Sequence, residues 1–150
     1  MRTITETVYN FDELGEEAKE RARDWYREGA FDYEWWEYTY EDAKTIGLEI
    51  TSFDVDRYEI EGKLLEDVKT ICARIIANHG KACETYKLAK SIDRRRVVGE
   101  MATESFRRAL LQEYLRMLRI ECEYIVSAEV VDENIKANEY TFTEGGKRRG

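Results

Sequence analysis

The single histidine, His79, is the residue on which catalytic chemistry would depend, because it lies between two cysteines in the sequence. Cys72 precedes it and Cys83 follows it four residues later. A cysteine nucleophile needs a base that removes the thiol proton, and His79 could serve Cys83 in this way. The pair spans the predicted end of a helix, however, and nothing nearby in the sequence looks like an orienting residue or an oxyanion loop. An enzyme that uses Cys83 and His79 therefore stays an alternative, and we expect a protein without catalytic residues.

Other catalytic or cofactor chemistry has no motif to support it. Structural zinc sites take cysteine or histidine ligands in two closely spaced pairs, and the sequence has neither C-x₂-C nor H-x₃-H. Gly145 and Gly146 are adjacent, but no helix is predicted after them, as a phosphate-binding loop would require. We expect no metal and no cofactor.

Acidic side chains are numerous and unevenly placed along the chain. Residues 1–67 carry 20 acidic and 8 basic side chains, whereas residues 68–150 carry 12 and 16, and the net charge is −8. Such an acidic surface repels nucleic acid and attracts basic partners, although acid can also serve only to keep an aromatic-rich domain soluble. The candidates for partner binding are acids of the first two predicted helices: Glu16, Glu20, Asp24, Glu34, Glu37, Glu41 and Asp42.

Arginines of the second half could instead form a basic stripe for phosphates. Such residues more often pair with acids of the same domain, and the net charge of −8 argues against nucleic acid as a direct partner. The arginines in question are Arg94, Arg95, Arg96, Arg107, Arg108, Arg116 and Arg119.

The elements that must position these groups follow from periodicity and from the residues that cap helices. Alternation predicts a strand over residues 3–9 and a hairpin over residues 48–65. Helical spacing predicts a first helix from Gly15 to Gly29 and a second from an Asp32 N-cap to Gly47. Later helices are predicted over residues 66–79 and 83–92, from a Thr103 cap along an apolar stripe to Ile125, and from a Ser127 cap to Lys136.

The expected fold is a single acidic α+β domain over residues 1–150, in which helices cover one face of a small antiparallel sheet. The first strand, the hairpin and residues 140–142 would supply its three to four strands. Trp25, Trp35 and Trp36 are expected to anchor the core, and residues 145–150 are expected to form a flexible basic tail. No apolar run reaches the length of a membrane span and the N-terminus lacks a signal peptide's apolar stretch, so we expect a cytoplasmic protein without membrane contact.

Four segments of the sequence together resemble a family of small phage and prophage proteins labelled "antitoxin of toxin–antitoxin stability system". They are YNFDELGEEAKERARDWYR, DYEWWEYTYEDAKTIGLEITSFDVDR, IANHGKACETY and IKANEYTFTEGGK. The resemblance covers nearly the whole chain. The sequence departs most from the family between Tyr58 and Leu64 and around Arg94–Gly99. The label implies a non-catalytic protein that neutralises a toxin, and small acidic phage proteins also include anti-CRISPR inhibitors of host defence. No functional residue comes with the family.

The leading hypothesis is a phage-encoded, non-enzymatic protein that inhibits a bacterial defence effector, such as a nuclease complex, in the manner of an anti-CRISPR. Acidic helix faces within residues 12–42 would imitate a row of phosphates and occupy a basic nucleic-acid groove. The alternatives are an antitoxin that sequesters a basic toxin, the Cys83–His79 enzyme, and a phage accessory protein whose acid only confers solubility.

Overall fold

The computed structural model describes residues 3, 5–95 and 100–149, without the side chains of residues 93–95, 100 and 101. The chain divides into two compact units: unit 1 is Met1–Glu34 with Glu121–Gly150, and unit 2 is Trp35–Ile120. Each unit has its own hydrophobic core. The expectation of one domain over residues 1–150 stays a prediction.

Six helices and five short strands are formed by the described residues, which confirms the α+β class. In chain order they are β1 Tyr9–Asn10, α1 Glu16–Gly29, α2 Glu37–Ile46, β2 Leu48–Asp54, β3 Glu59–Leu64, α3 Val68–Asn78, α4 Glu84–Arg95, α5 Glu100–Ile125, α6 Ala128–Ala137, β4 Thr141–Phe142 and β5 Arg148–Arg149, with a 3-10 turn at Phe11–Glu13.

Unit 1 packs α1 against α6 beside a three-stranded antiparallel sheet of order β1-β4-β5. α1 begins after Gly15 and places Glu16 and Glu17 in its first turn, where the helix dipole favours acid, as the sequence predicts. The core of the unit lies where small residues of α1 allow close packing: its buried members are Phe11, Leu14, Ala18, Ala22, Val131, Ile135 and Phe142.

The C-terminal segment of unit 1 is held against α1, although the sequence predicts only a loose tail there. Gly146 has φ 88°, and a Cβ at this position would lie 2.2 Å from the carbonyl oxygen of Ala18. Only glycine allows so close an approach of two backbones. Arg148 then pairs in β5 and lies over the rings of Tyr140 and Trp25, at 4.6 and 5.7 Å from their centroids.

Unit 2 is built on the β2–β3 hairpin, which the sequence predicts. β2 pairs with β3 from Leu48 opposite Leu64 to Asp54 opposite Glu59, with an irregularity between Ile50 and Ser52. α2 packs against β2 and α3, and α3 packs against α4. The long helix α5 comes so close that a Cβ on Gly62 would lie 2.8 Å from Leu111 Cδ2. Tyr114, Phe106, Ile71 and Ile75 are among the fully buried side chains of this core.

Several local expectations are wrong. The strand predicted over residues 3–9 is limited to Tyr9–Asn10 in the described residues, and Val8 is 46% exposed, so its alternating pattern has no core to face. The predicted strands also belong to two sheets rather than one, because the hairpin lies in unit 2 and the terminal strands lie in unit 1.

Two helix starts also differ from the predicted ones. α2 begins at Glu37 with Trp36 in the N-cap position, so Asp32 does not cap it. Thr103 lies inside α5, whose helical residues already include Glu100. Arg96 and the side chains of Arg94 and Arg95 lie outside the described residues.

The tryptophans do not anchor either core. Trp25, Trp35 and Trp36 are all partly exposed, and the largest fully buried side chains are those of Tyr114, Phe106 and Phe142. Indole rings are large and are rarely buried completely, so residue size alone overstates their share of the core.

Candidate functional site

The acids predicted on α1 are already paired with basic side chains of the same helix. Glu20 accepts hydrogen bonds from Arg23 at 3.1 Å and from Arg27 at 2.9 Å, and these bonds lower the pKa of Glu20. Arg27 also reaches Asp24 at 3.1 Å. Glu16 lies 3.9 Å from Lys19 Nζ. A basic partner would have to compete with these contacts, so the α1 acids are weak candidates for a binding surface.

Asp42, the last of the predicted site residues, belongs to a polar network inside unit 2. Its Oδ2 accepts a hydrogen bond from the Tyr114 hydroxyl at 2.9 Å and lies 3.5 Å from His79 Nε2. The contact with His79 and the Tyr114 bond lower the pKa of Asp42, although partial burial acts in the opposite direction. Nε2 makes no hydrogen bond with any described residue, so the 3.5 Å separation is a close approach and not a hydrogen bond. Asp42 thus fixes α2 to α5 and is not free for a partner.

The same network bears on the Cys83–His79 alternative. His79 Nδ1 lies 2.6 Å from Thr85 Oγ1 while Nε2 faces Asp42, so both ring nitrogens are directed at groups other than the Cys83 thiol. Thr85, His79 and Asp42 are arranged like the nucleophile, base and acid of a catalytic triad. Thr85 is only 3% exposed, however, so its hydroxyl cannot meet a substrate. The geometry therefore favours a structural role for this network.

The arginines of α5 are also engaged within unit 2. Arg107 binds Glu104 and donates to the Gly62 carbonyl at 2.9 Å, and Arg108 binds Glu104 at 3.2 Å. The two arginines lower the pKa of Glu104 to about 2. Arg116 pairs with Glu113, and Arg119 lies 5.2 Å from the Tyr58 ring centroid. These contacts occupy the basic groups that a phosphate stripe would need.

One stretch differs from the rest of the acidic surface, namely residues 28–43, which we call the acidic–aromatic segment. No basic side chain occurs between Arg27 and Lys44. Twelve of its sixteen residues are acidic or aromatic: Glu28, Asp32, Glu34, Glu37, Glu41 and Asp42, with Phe31, Tyr33, Trp35, Trp36, Tyr38 and Tyr40. Lys44, just beyond the segment, stands three residues after Glu41 on α2, but the two side chains form no ion pair, in contrast to the paired acids of α1.

The carboxylates of this segment, other than Asp42, are exposed and make no ion pair with any described residue. Glu34 lies at the end of the first part of unit 1. Glu37 and Glu41 lie on the exposed face of α2, one helical turn apart. Of the predicted site residues, Glu34, Glu37 and Glu41 are therefore the ones with charge available to a partner.

Aromatic side chains accompany these acids at the surface. Three of the five exposed aromatic side chains among the described residues belong to this segment: Phe31 is 38% exposed, Tyr33 59% and Tyr38 82%. Exposed aromatic rings are enriched at protein–protein interfaces and energetically significant there.

The start of α2 is held in place by aromatic packing. Trp35, Trp36 and Tyr40 each meet the ring of Phe53 on the hairpin edge to face, with centroids 5.6, 6.1 and 6.0 Å apart. Further along the helix, Ala43 and Ile46 are fully buried. The exposed face of α2 is therefore presented by a helix whose other side is anchored.

The sequence indicates only in part which acids are paired, and a count of acids does not indicate it at all. Glu20, Asp24 and Arg27 stand at helical spacing on α1, where opposite charges meet. Glu41 and Lys44 have the same kind of spacing on α2, yet they form no ion pair. The ion pairs of the structure, and not the spacing alone, separate the two groups of candidate acids.

No family model, no curated protein and no solved structure matches this chain. The fold and the surface define an α+β protein whose helix α2, in unit 2, exposes Glu37, Tyr38 and Glu41. The resemblance to the phage and prophage family stays a prediction.

Among the described residues, no group of three or more histidine, cysteine, aspartate or glutamate side chains could hold a metal ion. Across the same residues, every helix is too short or too polar to cross a membrane.

Proposed function

We propose that the protein is a non-enzymatic inhibitor that binds a basic, nucleic-acid-binding surface of a bacterial defence effector in the host cytoplasm. The observation that supports this proposal is the exposed face of α2, where Glu37 and Glu41 have no ion-pair partner among the described residues and stand beside the exposed ring of Tyr38. The sequence resemblance to small phage and prophage proteins supports the setting.

Charge and spacing make this face suitable for occupying a phosphate-binding groove. Glu37 and Glu41 are separated by about 6 Å along the helix axis, so the first turns of α2 present two negative charges close together. Since neither carboxylate forms an ion pair with a described residue, neither has to leave such a partner to meet lysine or arginine of the groove. Attraction between exposed charges falls with ionic strength, so binding should weaken as salt rises.

The decisive experiment combines capture with inhibition. The tagged protein is incubated with lysate of a bacterial host that carries active defence systems, at low and at high salt, and retained proteins are identified by mass spectrometry. Retention of a nuclease complex at low salt, its release at high salt, and inhibition of its purified nuclease activity are the expected results. Recovery of a small basic toxin would identify an antitoxin instead, and failure to inhibit any captured effector would contradict the proposal.

The double substitution Glu37→Lys/Glu41→Lys should abolish capture. Glu129→Lys/Glu133→Lys on α6 is the matched control, because it changes the net charge by the same amount. Like Glu37 and Glu41, these two acids are exposed and one helical turn apart, and the first of them lies in the first turn of its helix. Equal loss of capture in both variants would show that net charge, and not the α2 face, is responsible.

A further inference from the structure

We infer that Glu37, Tyr38 and Glu41, which we call the α2 face, form a receptor for an arginine side chain of the partner protein. This inference rests on the proposed binding function and specifies the chemistry that the partner must present. A phosphate mimic needs only negative charge, whereas the α2 face combines charge with an aromatic ring that is 82% exposed.

Helical spacing brings the three side chains to one surface. Glu37 and Glu41 are four residues apart and Tyr38 and Glu41 are three apart, both within the range of side-chain neighbours on a helix. A cation that lies on the Tyr38 ring is therefore within reach of the Glu41 carboxylate. Tyr38 itself is a rigid side chain with few rotatable bonds, so it loses little conformational freedom when a partner covers it.

Arginine fits this arrangement better than lysine. Its planar guanidinium can stack on an aromatic ring and at the same time donate two parallel hydrogen bonds to a carboxylate, whereas an ammonium is a compact point charge. A phosphate group of a nucleic acid would be repelled by both carboxylates.

The chain contains this combination internally, in unit 1. The Arg23 guanidinium lies 5.5 Å from the ring centroid of Phe11 and donates to both carboxylate oxygens of Asp132, at 2.7 and 3.0 Å. The α2 face offers the ring and the carboxylates of such a site without the arginine, and the nearest basic side chain of the helix, Lys44, forms no ion pair with Glu41.

The α2 face is also preorganised. The opposite side of α2 is fixed by the buried side chains of Ala43 and Ile46 and by the bond between Asp42 and Tyr114. Binding therefore requires little ordering of the receptor, and a single arginine can be recognised on the helix surface.

The test is a titration of the ¹⁵N-labelled protein, followed by NMR chemical shifts at low salt, with two blocked peptides of equal length and charge. One contains two arginines separated by glycine and the other contains two lysines. We expect the arginine peptide to shift the amides of residues 37–41 and to bind about twofold more tightly than the lysine peptide, since an exposed cation–π contact contributes about two- to fivefold in all and lysine keeps part of it. Tyr38→Ala should remove the preference, whereas Tyr124→Ala, which truncates a ring 60% exposed on α5, should keep it.

Three results would overturn the inference: equal affinity for the two peptides, an unchanged preference in Tyr38→Ala, or shifts spread equally over Glu129 and Glu133. The outcome is separable from that of the proposed function. An effector that is captured and inhibited equally well by Tyr38→Ala would refute the arginine receptor alone. A sustained arginine preference without any inhibited effector would refute the inhibitor function alone.

Discussion

Replacing Tyr114 with phenylalanine should destabilise the protein, because it removes the only hydroxyl that donates to the Asp42 carboxylate in the described residues. The bond spans 2.9 Å and joins α5 to α2. The Tyr114 side chain is fully buried, and phenylalanine preserves its ring and its packing. The substitution thus isolates the hydrogen bond from the hydrophobic contribution.

The magnitude follows from the charge and the exposure of the acceptor. A hydrogen bond to a charged group contributes about 1.5–3 kcal/mol to the free energy of unfolding. The Asp42 side chain is 43% exposed, so water can replace part of what the hydroxyl provides. We therefore expect a loss at the lower end of this range, about 1.5 kcal/mol.

The loss should depend on pH with a defined sign. The pKa of Asp42 is lowered in the folded state, so its contribution is present above the pKa of an unfolded aspartate, about 4, and is lost as the pH falls through the lower pKa of the folded state. The difference between the wild type and Tyr114→Phe should therefore be largest near neutral pH and should shrink below about pH 4.

Urea unfolding followed by circular dichroism at pH 7 and pH 3 measures both effects. Tyr40→Phe on α2 is the matched control, since the Tyr40 hydroxyl makes no hydrogen bond with any described residue while partial burial raises its pKa. A Tyr114→Phe variant as stable as the control at pH 7, or a difference that persists unchanged at pH 3, would refute the reasoning.

Two further substitutions test how the ends of elements are fixed. Gly146→Ala should lower the thermal midpoint of unfolding, because φ is 88° and the new Cβ would meet the Ala18 carbonyl. Gly145→Ala is the control and should leave the midpoint nearly unchanged, so equal melting curves for the two variants would contradict the close approach. Asp67→Ala should lower the midpoint of urea unfolding, since its carboxylate caps α3 at 2.7 Å from Thr70 N. Ser127→Ala should cost less, because its cap bond to α6 is 3.4 Å long, and the reverse order would contradict the cap geometry.

The sequence predicts the helices well where an apolar stripe and a cap agree. Phe106, Leu110, Tyr114 and Leu118 recur at helical spacing, and all of them are buried on α5. Ser127 caps α6 as predicted, because a serine before an apolar-periodic run satisfies the free amides of the first turn.

The prediction is least accurate where an element depends on a distant partner. β1 and β4 each contain two residues and exist because Tyr9 pairs with Phe142, a contact that neither segment specifies locally. β5 likewise depends on Gly146 turning the chain back toward β4, at a position whose positive φ a sequence pattern does not reveal.

The candidate surface follows from the pairing of acids more than from their number. On α1 the carboxylate of Glu20 binds two arginines of its own helix. An arginine of a partner would have to replace one of these ion pairs, so the net binding free energy is only the difference between the new ion pair and the old one. On α2 the carboxylates of Glu37 and Glu41 have no ion pair with any described residue that an arriving cation would have to displace. A net charge of −8 therefore overstates the attraction that α1 can exert, and binding should follow the acids of residues 28–43 that form no ion pair within the described part of the chain.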